Sequence, residues 1–347
     1  MRKTKIAVLH AKVPFIQGGA ELQVKMLVEN LKKNDFDVEL IQLPFKTYPE
    51  NVLYDNLLAW RLLDLSEVDG EKIDLVIGTK FPSYGAVHDN KVVWLIHQFR
   101  QAYDLYDTPM GLSNVENGER IRGHIKLYDE KALGEAKALY SDSNNVSIRL
   151  KRYNGLKAEP LYHPPALFGR YQTGEYGEYI LSVGRLDYLK RVDLLIRAVA
   201  LTRKPVKAKI VGTGPKTDEL KALAAALGVA DRVEFLGFVS DDDIIDLYAN
   251  AFAVYFAPVD EDYGYITLES FYSHKPTLTC HDSGGPLEFV RHMENGYICD
   301  PDPQEIAQGI HYFYENKERC KKLGQNGFEF IRGISWDNVI AKLTCTL

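Results

Sequence analysis

Short apolar runs alternate with longer amphipathic stretches along most of the chain. In the first half, the runs at 5–10, 38–43, 74–79 and 92–97 have the continuous apolar character of buried parallel strands. Between the first two runs, apolar residues recur with helical spacing, which predicts a helix over 20–33. Strands that alternate with helices are typical of βαβ units, so the pattern predicts a mostly parallel sheet.

A second series of the same kind follows a proline-rich break at 154–166. Prolines between two patterned halves favour a linker, and the 347 residues suffice for two domains of about 100–200 residues each. Ser240, followed by three aspartates, predicts a helix start. The other elements predicted beyond the break are strands at 179–184, 206–212, 233–239, 251–258, 277–280 and 297–300, and helices at 191–201 and 216–227.

The pattern therefore predicts an α/β chain with two tandem Rossmann-like domains, 1–165 and 166–330, facing across a cleft. In open parallel sheets, ligands bind beyond the carboxyl ends of the strands. We therefore expect the functional residues at strand ends that line this cleft.

Charge and composition exclude several classes of protein. The net charge of −6 argues against a nucleic-acid binder, which usually carries a basic footprint. None of the four cysteines forms a Cys-x-x-Cys pair, so metal-ligand spacing is absent and a reducing compartment fits best. The chain has neither a signal-peptide pattern nor an apolar stretch of about 20 residues, so we expect a cytoplasmic protein.

One basic stretch departs from the acidic balance of the chain. Arg149, Lys151, Arg152 and Lys157 are expected on a solvated helix face. The alternative is contact with an anionic acceptor or with the inner face of a membrane.

In the first half, two features lie at predicted strand ends. Gly18 and Gly19 precede a helix, where backbone N–H groups approach an anion, although Gly-Gly is often only a turn. The G-x-G-x-x-G order and a ribose-binding acidic residue are missing, which argues against a nicotinamide or flavin enzyme. His97 ends the fourth strand. Its side chain is expected either to bond to nearby backbone or to act as a charge-stabilising group in the cleft.

In the second half, cations and glycines follow successive strands. Gly184 ends a strand and is followed by Arg185 and Lys190, two cations that suit a diphosphate unless they form a solvated basic loop. The next two strands end in loops that are candidates for holding the nucleoside, although each alone is only a turn signal. These loops contain Gly212 with Gly214, and Gly237 with Phe238.

The stretch 261–269 is the most specific feature. A helix is expected to begin near Gly264, and the free N–H groups from Gly264 to Ile266, including Tyr265, are placed to bind a phosphate. Glu269 lies about one turn into this helix, within reach of ribose hydroxyls, and Glu261 precedes it as an acceptor for sugar hydroxyls. Two glutamates at this spacing also occur by chance.

Taken in order over about 179–310, these motifs resemble family 4 of the retaining glycosyltransferases, which have the GT-B fold. The first half contributes less, with Gly18–Gly19–Ala20–Glu21 and His97 in places that the family uses. The motifs of the second half are Gly184–Arg185 with Lys190, Gly212–Thr213–Gly214–Pro215, Leu236–Gly237, Glu261 with Glu269, Gly284–Gly285 with Glu288, and Asn295–Gly296.

The resemblance implies a role for each matched residue. Arg185 and Lys190 would grip the donor diphosphate. Glu261 and His97 would face the transferred sugar, and Glu269 the ribose. The implied catalytic residues are thus His97, Arg185, Lys190 and Glu261, and the donor-binding residues are Gly18, Gly19, Gly184, Gly212, Gly214, Gly237, Phe238, Gly264, Tyr265, Ile266 and Glu269. The family usually has glycine directly after the first glutamate, whereas this chain has Asp262. The additional carboxylate is expected to alter the pocket for the sugar.

The resemblance also implies a reaction: transfer of a sugar from a UDP-, GDP- or ADP-sugar to an acceptor hydroxyl, with retention. No metal cluster is visible in the sequence, so we expect that neither a cofactor nor a metal is required. The acceptor would be a saccharide, a lipid-linked molecule or a small molecule, as in the synthesis of envelope polysaccharide or glycoconjugates. The first domain would bind it near Arg100, Gln101, Tyr103 and Tyr106, and a helix within 331–347 would pack back on that domain. The alternatives are a GT-B sugar-nucleotide epimerase, a dinucleotide-dependent oxidoreductase and an inactive binding protein.

Overall fold

A computed structural model describes residues 2–16 and 18–347 and divides into two units. The first unit, here the N-terminal domain, extends to Ala166 and also includes Ile334–Leu347. The second unit, the C-terminal domain, is Leu167–Gly333.

The N-terminal domain contains a parallel sheet flanked by helices. Its strands are β1 (Lys5–Lys12), β2 (Asp37–Pro44), β5 (Leu75–Gly78), β6 (Lys91–Leu95), β7 (Ala138–Ser141) and β8 (Glu159–Pro160), and a small antiparallel hairpin is formed by β3 (Glu67–Val68) and β4 (Glu71–Lys72). Its helices are α1 (Gly19–Lys33), α2 (Glu50–Leu62), α3 (Gly118–Gly134), α4 (Asn144–Asn154) and α11 (Trp336–Leu343). The six parallel strands are ordered β2-β1-β5-β6-β7-β8.

The apolar runs of the first half are strands of this sheet, as predicted. In β6, Val92, Val93 and Trp94 are completely buried, because helices cover both faces of the sheet. β6 ends at Leu95, so the prediction that the strand extends to His97 is wrong by two residues. Beyond the end of β6, the N–H of Ile96 donates to the carbonyl of Thr79, which directly follows β5.

The last helix belongs to the N-terminal domain by its contacts. In α11, Trp336 packs edge-on against Trp94, with ring centroids 6.1 Å apart. Val339, Ile340 and Leu343 complete the face of α11 that joins the core of this domain.

The C-terminal domain repeats the parallel α/β arrangement. Its strands are β9 (Tyr179–Val183), β10 (Lys207–Val211), β11 (Val233–Gly237), β12 (Ala253–Tyr255), β13 (Thr277–Cys280) and β14 (Gly296–Cys299). Its helices are α5 (Val192–Leu201), α6 (Thr217–Ala226), α7 (Asp241–Asn250), α8 (Tyr265–Tyr272), α9 (Pro303–Tyr314) and α10 (Lys317–Ile331). The strand order is β11-β10-β9-β12-β13-β14, and all pairs are parallel.

This order creates a switch point between β9 and β12. The chain begins at β9, moves outward through β10 and β11, and then returns to the other side of β9 at β12. Loops after β9 and β12 therefore lead to opposite faces of the sheet, which opens a crevice at their carboxyl ends.

Two local predictions can be checked in this domain. Ser240 caps α7, since its hydroxyl accepts a hydrogen bond from the N–H of Asp243 at 3.2 Å, as predicted. The strand predicted over 251–258 is shorter, since β12 covers only Ala253–Tyr255. Among the residues that the structure describes, no helix is both long enough and apolar enough to span a membrane.

Candidate active site

The site residues expected in the C-terminal domain follow four parallel strands. Because these strands are parallel, their carboxyl ends lie at one edge of the sheet, and β9 and β12 are neighbours there. In chain order, the residues are Gly184, Arg185 and Lys190 after β9, Gly212 and Gly214 after β10, Gly237 and Phe238 at the end of β11, and Glu261, Gly264, Tyr265, Ile266 and Glu269 after β12.

Lys190 and Glu261 form an ion pair between Lys190 Nζ and Glu261 Oε2. Lys190 ends a 3-10 turn, Tyr188–Lys190, which Asp187 caps by accepting hydrogen bonds from the N–H groups of Leu189 and Lys190. The two charged side chains are 21% and 24% exposed, so both remain accessible. A cation and a carboxylate from two adjacent loops thus meet at one point of the sheet edge.

Arg185 lies in the same loop but is more exposed. Its side chain is 60% exposed, and its Nε lies 4.0 Å from Asp187 Oδ2. An exposed pair at this distance contributes little to stability. Arg185 can therefore turn toward an anion without the loss of a strong contact.

Arg191 joins three loops, and we did not identify it from the sequence. Its guanidinium donates to the carbonyl oxygens of Ala257 and Pro258 at 2.8 and 2.7 Å, and to both carboxylate oxygens of Asp282 at 2.7 and 2.8 Å. The carbonyl of Arg191 accepts from the hydroxyl of Tyr255 at 2.9 Å. These bonds fix the loops after β9, β12 and β13 relative to one another, and so hold Lys190 beside Glu261.

The backbone of Glu261 is anchored to the loop after β13. Its N–H donates to Ser283 at 3.0 Å, and its carbonyl accepts from Gly285 at 2.8 Å, which makes a parallel bridge between Glu261 and Gly284. The Gly284–Gly285 motif therefore supports the position of Glu261.

Helix α8 begins one residue after Gly264, as the sequence predicts. Gly264 has φ of +89°, and a Cβ there would lie 3.0 Å from Pro286 and 3.1 Å from Phe256, so a side chain at this position would be strained. The backbone N–H groups of the first turn of α8 point toward the N-terminal end of the helix. Such a helix start attracts an anion through these donors and through the helix dipole.

Glu269 lies in the second turn of α8 and is held by a tyrosine. The hydroxyl of Tyr248 donates to Glu269 Oε2 at 2.6 Å, and the ring of Tyr171 packs edge-on against that of Tyr248. Burial raises the pKa of Glu269 above its usual value, and the hydrogen bond from Tyr248 opposes that shift. A carboxylate has about four acceptor positions, so Glu269 retains capacity for ribose hydroxyls.

The glycines after β10 pack against protein backbone. A Cβ on Gly212 would lie 2.0 Å from the carbonyl oxygen of Gly184, and one on Gly214 would lie 2.3 Å from that of Leu186. The close approach expected for a ligand is thus made in this structure by the loop after β9. Gly237 ends β11, and Phe238 beyond it is 90% exposed.

In the N-terminal domain, the start of α1 is occupied by its own glutamate. The N–H of Gly18 donates to Glu21 Oε2 at 2.9 Å, so the expectation that this N–H faces a phosphate does not hold in this structure. Gly19 is the first residue of α1. Lys80 Nζ lies 2.9 Å from Glu21 Oε1, and Nε2 of the buried His10 lies 3.4 Å from the same oxygen. Burial alone would raise the pKa of Glu21, but these bonds hold it well below its usual value.

His97 is partly buried and lies in the loop after β6. Its Nδ1 lies 2.8 Å from the carbonyl oxygen of Gln98, which requires a proton on Nδ1. In neutral histidine, Nε2 then carries the lone pair and can accept a hydrogen bond. The carbonyl of His97 accepts from Phe81 at 3.3 Å, so the loops after β5 and β6 are joined.

The residues after His97, near which an acceptor is expected to bind, make several bonds within their own domain. Tyr103 is buried, and its hydroxyl donates to Asp129 at 2.7 Å. The hydroxyl of Tyr106 donates to Glu119 at 2.7 Å. Arg100 contacts Asp104 at 2.7 Å. The loop uses these polar groups to bond its own domain.

The basic stretch is also only partly solvated. Arg149 is 5% exposed and lies 3.3 Å from Asp104, because the side chain points into the domain from α4. Lys151 and Arg152 are exposed, as predicted. Within residues 2–16 and 18–347, no group of three or more His, Cys, Asp or Glu side chains is arranged to hold a metal ion.

The C-terminal domain matches a known family. Residues 167–330, just under half of the chain, match the model described as glycosyl transferases group 1. An uncharacterized glycosyltransferase of Methanocaldococcus jannaschii is 34% identical over 164 residues, which are 46% of this chain and 42% of that protein. The chain thus spans less than half the length of this relative.

Solved structures match both domains. Sucrose-phosphate synthase from Thermosynechococcus elongatus has a TM-score of 0.76 at 16% identity, over 99% of this chain and 98% of that chain. Anabaena HepE in complex with UDP-glucose has a TM-score of 0.73 at 17% identity, over 99% of this chain and 98% of that chain. Residues 167–330 therefore match the glycosyl transferases group 1 model, and the chain has the fold of GT-B glycosyltransferases of known structure.

Proposed function

We propose that the chain is a retaining glycosyltransferase of family 4, which transfers a sugar from a nucleotide-diphosphate-sugar to an acceptor hydroxyl. The group 1 match of residues 167–330 supports sugar transfer. The observation that carries the proposal is the pair of Lys190 and Glu261 at the switch point, beside the start of α8. This arrangement offers one cation and one helix start for a diphosphate, and one carboxylate for sugar hydroxyls.

The ion pair suggests how the donor enters. Without a donor, Lys190 and Glu261 neutralise each other. When a nucleotide-sugar binds, Lys190 turns to the diphosphate and Glu261 accepts hydrogen bonds from the sugar. Arg185, which is 60% exposed, adds a second cation, and Glu269 accepts from the ribose.

The donor class is a UDP-, GDP- or ADP-sugar. HepE, which shares the fold, has been solved with UDP-glucose. We propose that neither a metal nor a cofactor is needed, because Arg185 and Lys190 supply the positive charge that the leaving diphosphate requires. The acceptor hydroxyl belongs to a saccharide or to a lipid-linked or small molecule.

The reaction breaks the bond between the anomeric carbon and the diphosphate oxygen and forms a bond from that carbon to the acceptor oxygen. For retention, the acceptor approaches the face from which the diphosphate leaves, and its proton passes to the leaving oxygen. The protein then needs no nucleophile and contributes positioning and charge stabilisation. His97, with the lone pair on Nε2, accepts a hydrogen bond from the sugar.

The test is a panel of UDP-, GDP- and ADP-sugars with saccharide acceptors, after treatment with EDTA. We expect one nucleotide to bind and its sugar to be transferred, with the same anomeric configuration in the product by NMR as in the donor. Inversion would contradict the retaining mechanism, and loss of transfer on chelation would contradict the absence of a metal. Conversion of the donor to its epimer without an acceptor would identify an epimerase.

A further inference from the structure

The N-terminal sheet has a switch point of its own, between β1 and β5. The chain moves from β1 outward to β2 and then returns to the other side of β1 at β5. The loops after β1 and β5 therefore flank a crevice at the carboxyl ends of these strands. Glu21, on the helix after β1, and Lys80, after β5, form an ion pair with Lys80 Nζ 2.9 Å from Glu21 Oε1.

This ion pair is largely buried. The side chain of Lys80 is 8% exposed, and that of Glu21 is 16% exposed. His10, which is completely buried on β1, lies beside the same carboxylate, with its Nε2 3.4 Å from Glu21 Oε1. Charges that leave water lose hydration free energy, which their attraction offsets only in part, so a buried pair is weak evidence for stability. Its burial is better explained by a role in fixing the position of Glu21.

Glu21 in turn holds the residue that precedes α1. It is the third residue of this helix, from which a glutamate can reach back to the N–H before the helix. Its Oε2 accepts from the N–H of Gly18 at 2.9 Å, while Oε1 accepts from Lys80. In a complete capping box, the residue before the helix returns a side-chain bond, which Gly18 cannot provide. One carboxylate thus links the turn at Gly18 to the loop after β5.

The protein itself does not require glycine at position 18. Gly18 has an extended backbone, with φ of −149° and ψ of −167°, which any residue adopts. Among the described residues, the atom nearest to a Cβ there is Glu21 Oε2 at 3.5 Å, an ordinary contact, whereas a Cβ on Gly212 would lie 2.0 Å from backbone. A side chain that is absent without a demand from packing leaves room for a ligand to approach the backbone closely.

We propose that Glu21 is a positioning residue, held by Lys80, which fixes the turn at Gly18 so that the donor can approach its backbone. The contact of this turn with the donor rests on the function proposed above, whereas the hold of Glu21 on Gly18 does not.

The charge of Glu21 is what allows it to bind both partners. Burial alone would raise the pKa of Glu21, but its bonds to His10 and Lys80 hold it well below its usual value, so the carboxylate is ionised near neutral pH. An ionised carboxylate is an acceptor only, and its two oxygens serve Gly18 and Lys80 separately. In Glu21→Gln, one of these two donors would face an amide NH₂ group instead of an oxygen.

The test is hydrogen exchange of the Gly18 amide, measured by NMR on glycine-labelled full-length protein without ligand and assigned with Gly18→Ala. In Glu21→Gln, we expect this amide to exchange about tenfold faster than in the wild type, since a hydrogen bond to a charged group is lost. Lys80→Met should also accelerate the exchange, because it leaves the carboxylate without its anchor. The double variant should exchange no faster than Glu21→Gln alone, since both changes act through one contact.

Kinetics separate positioning from a simple loss of folding. In Glu21→Gln, we expect the donor KM to rise by about tenfold with kcat within about threefold of the wild type, the pattern of a lost binding contact. Gly18→Ala should change Tm little and should raise the donor KM in the same way, because its Cβ takes the space that the donor needs.

The matched control is Glu305→Gln. Glu305 is likewise the third residue of a helix, α9, and accepts a hydrogen bond from the N–H of Asp300 before that helix at 2.8 Å. This control should leave both the donor KM and kcat within about twofold of the wild type, as expected for a bond of the same kind away from the crevice between β1 and β5.

An unchanged exchange rate of the Gly18 amide in both Glu21→Gln and Lys80→Met would overturn the proposal. Faster exchange with an unchanged donor KM would overturn it as well, since Glu21 would then serve the helix alone. The exchange measurement needs no donor. If the exchange is faster in the variants while the wild type consumes no nucleotide-sugar, the proposed function fails and the hold of Glu21 on Gly18 stands.

Discussion

Lys190 and Glu261 join the loop after β9 to the loop after β12 by an ion pair at the switch point of the C-terminal sheet. Neither residue depends on the pair alone for its position. Lys190 lies in a turn that Asp187 caps, and Glu261 is bridged to Gly284. The backbone therefore keeps a cation and a carboxylate in place when a ligand separates them.

Loss of Lys190 is expected to impair activity far more than stability. Lys190→Ala should lower kcat/KM for the donor by about 100-fold or more, because removal of one preorganised electrostatic contact has effects of about 10²–10³. Both partners are partly exposed, so the free energy of unfolding should change by about 1 kcal/mol or less.

A matched control for this variant is Lys321→Ala. Lys321 pairs with Glu318 at 2.6 Å on α10, and both are exposed. This control should leave kcat/KM within about twofold of the wild type, measured by nucleotide release together with a urea titration. Equal kcat/KM values in the two variants would refute the role of Lys190.

Loss of Arg191 is expected to lower stability as well as donor binding. Arg191→Ala removes the bonds to Asp282 and to two carbonyl oxygens, and we expect the free energy of unfolding to fall by about 2–4 kcal/mol. Asp282→Asn should cost less, since its amide oxygen still accepts one bond from the guanidinium. If Arg191→Ala lowered the free energy of unfolding by less than Asp282→Asn, the bonds from Arg191 to the two carbonyl oxygens would contribute nothing to stability.

Gly212 is expected to tolerate no side chain. Gly212→Ala would place a Cβ 2.0 Å from the carbonyl oxygen of Gly184, at φ of +120°. The control is Gly228→Ala, at φ of +68° with open space around it, which carries only a left-handed strain of about 1–2 kcal/mol. In thermal unfolding, Gly212→Ala should lower Tm clearly more than Gly228→Ala does. Equal Tm values for the two variants would contradict the close packing of Gly212 against the carbonyl of Gly184.

Asp129 is expected to make stability fall as the pH rises from about 4 to about 7. Burial raises its pKa to about 7 in the folded chain, so the unfolded chain ionises first and binds fewer protons in this window. The stability that protonated Asp129 contributes is fully present below the pKa that this residue has in the unfolded chain. It is lost as the pH rises through the pKa of Asp129 in the folded chain.

The measurement is Tm at pH 5 and pH 8 for the wild type and Asp129→Asn. Between pH 5 and pH 8, the Tm of the wild type should fall by more than the Tm of the variant. Comparison of the two proteins cancels the effect of the other titrating groups, which both proteins share. An equal or larger loss in Asp129→Asn would be inconsistent with a raised pKa at Asp129.

The strands were predictable because both faces of a parallel sheet are buried, which makes each strand a continuous apolar run, as in β1 and β6. The two-residue strand β8, Glu159–Pro160, has no such run and gave no signal. Its place in the sheet depends on pairing with β7, a contact between distant residues that no local pattern contains.

The candidate site was predictable where residues follow strand ends, as for Lys190 and Glu261. Arg191 was missed because Lys190 and Arg191 are adjacent cations, and the sequence does not distinguish the one that bonds Asp282. The burial of Tyr103 could not be predicted for a related reason, since its hydroxyl bonds to Asp129 on α3, which is distant in sequence.

Asp129 did leave a signal in the sequence. Ile121, Ile125 and Ala132 are buried on the same face of α3, and Asp129 occupies a position of that apolar stripe. A charged residue within an apolar stripe predicts a buried and bonded carboxylate. The partners that bond it come from other loops and could not be read from this helix.

The most direct measurement is a crystal structure with whichever nucleoside diphosphate, UDP, GDP or ADP, binds most tightly by calorimetry. The account predicts the diphosphate at the start of α8, with Lys190 turned from Glu261 to its oxygens and Glu269 on the ribose. A nucleotide bound elsewhere, with the ion pair of Lys190 and Glu261 intact, would contradict it.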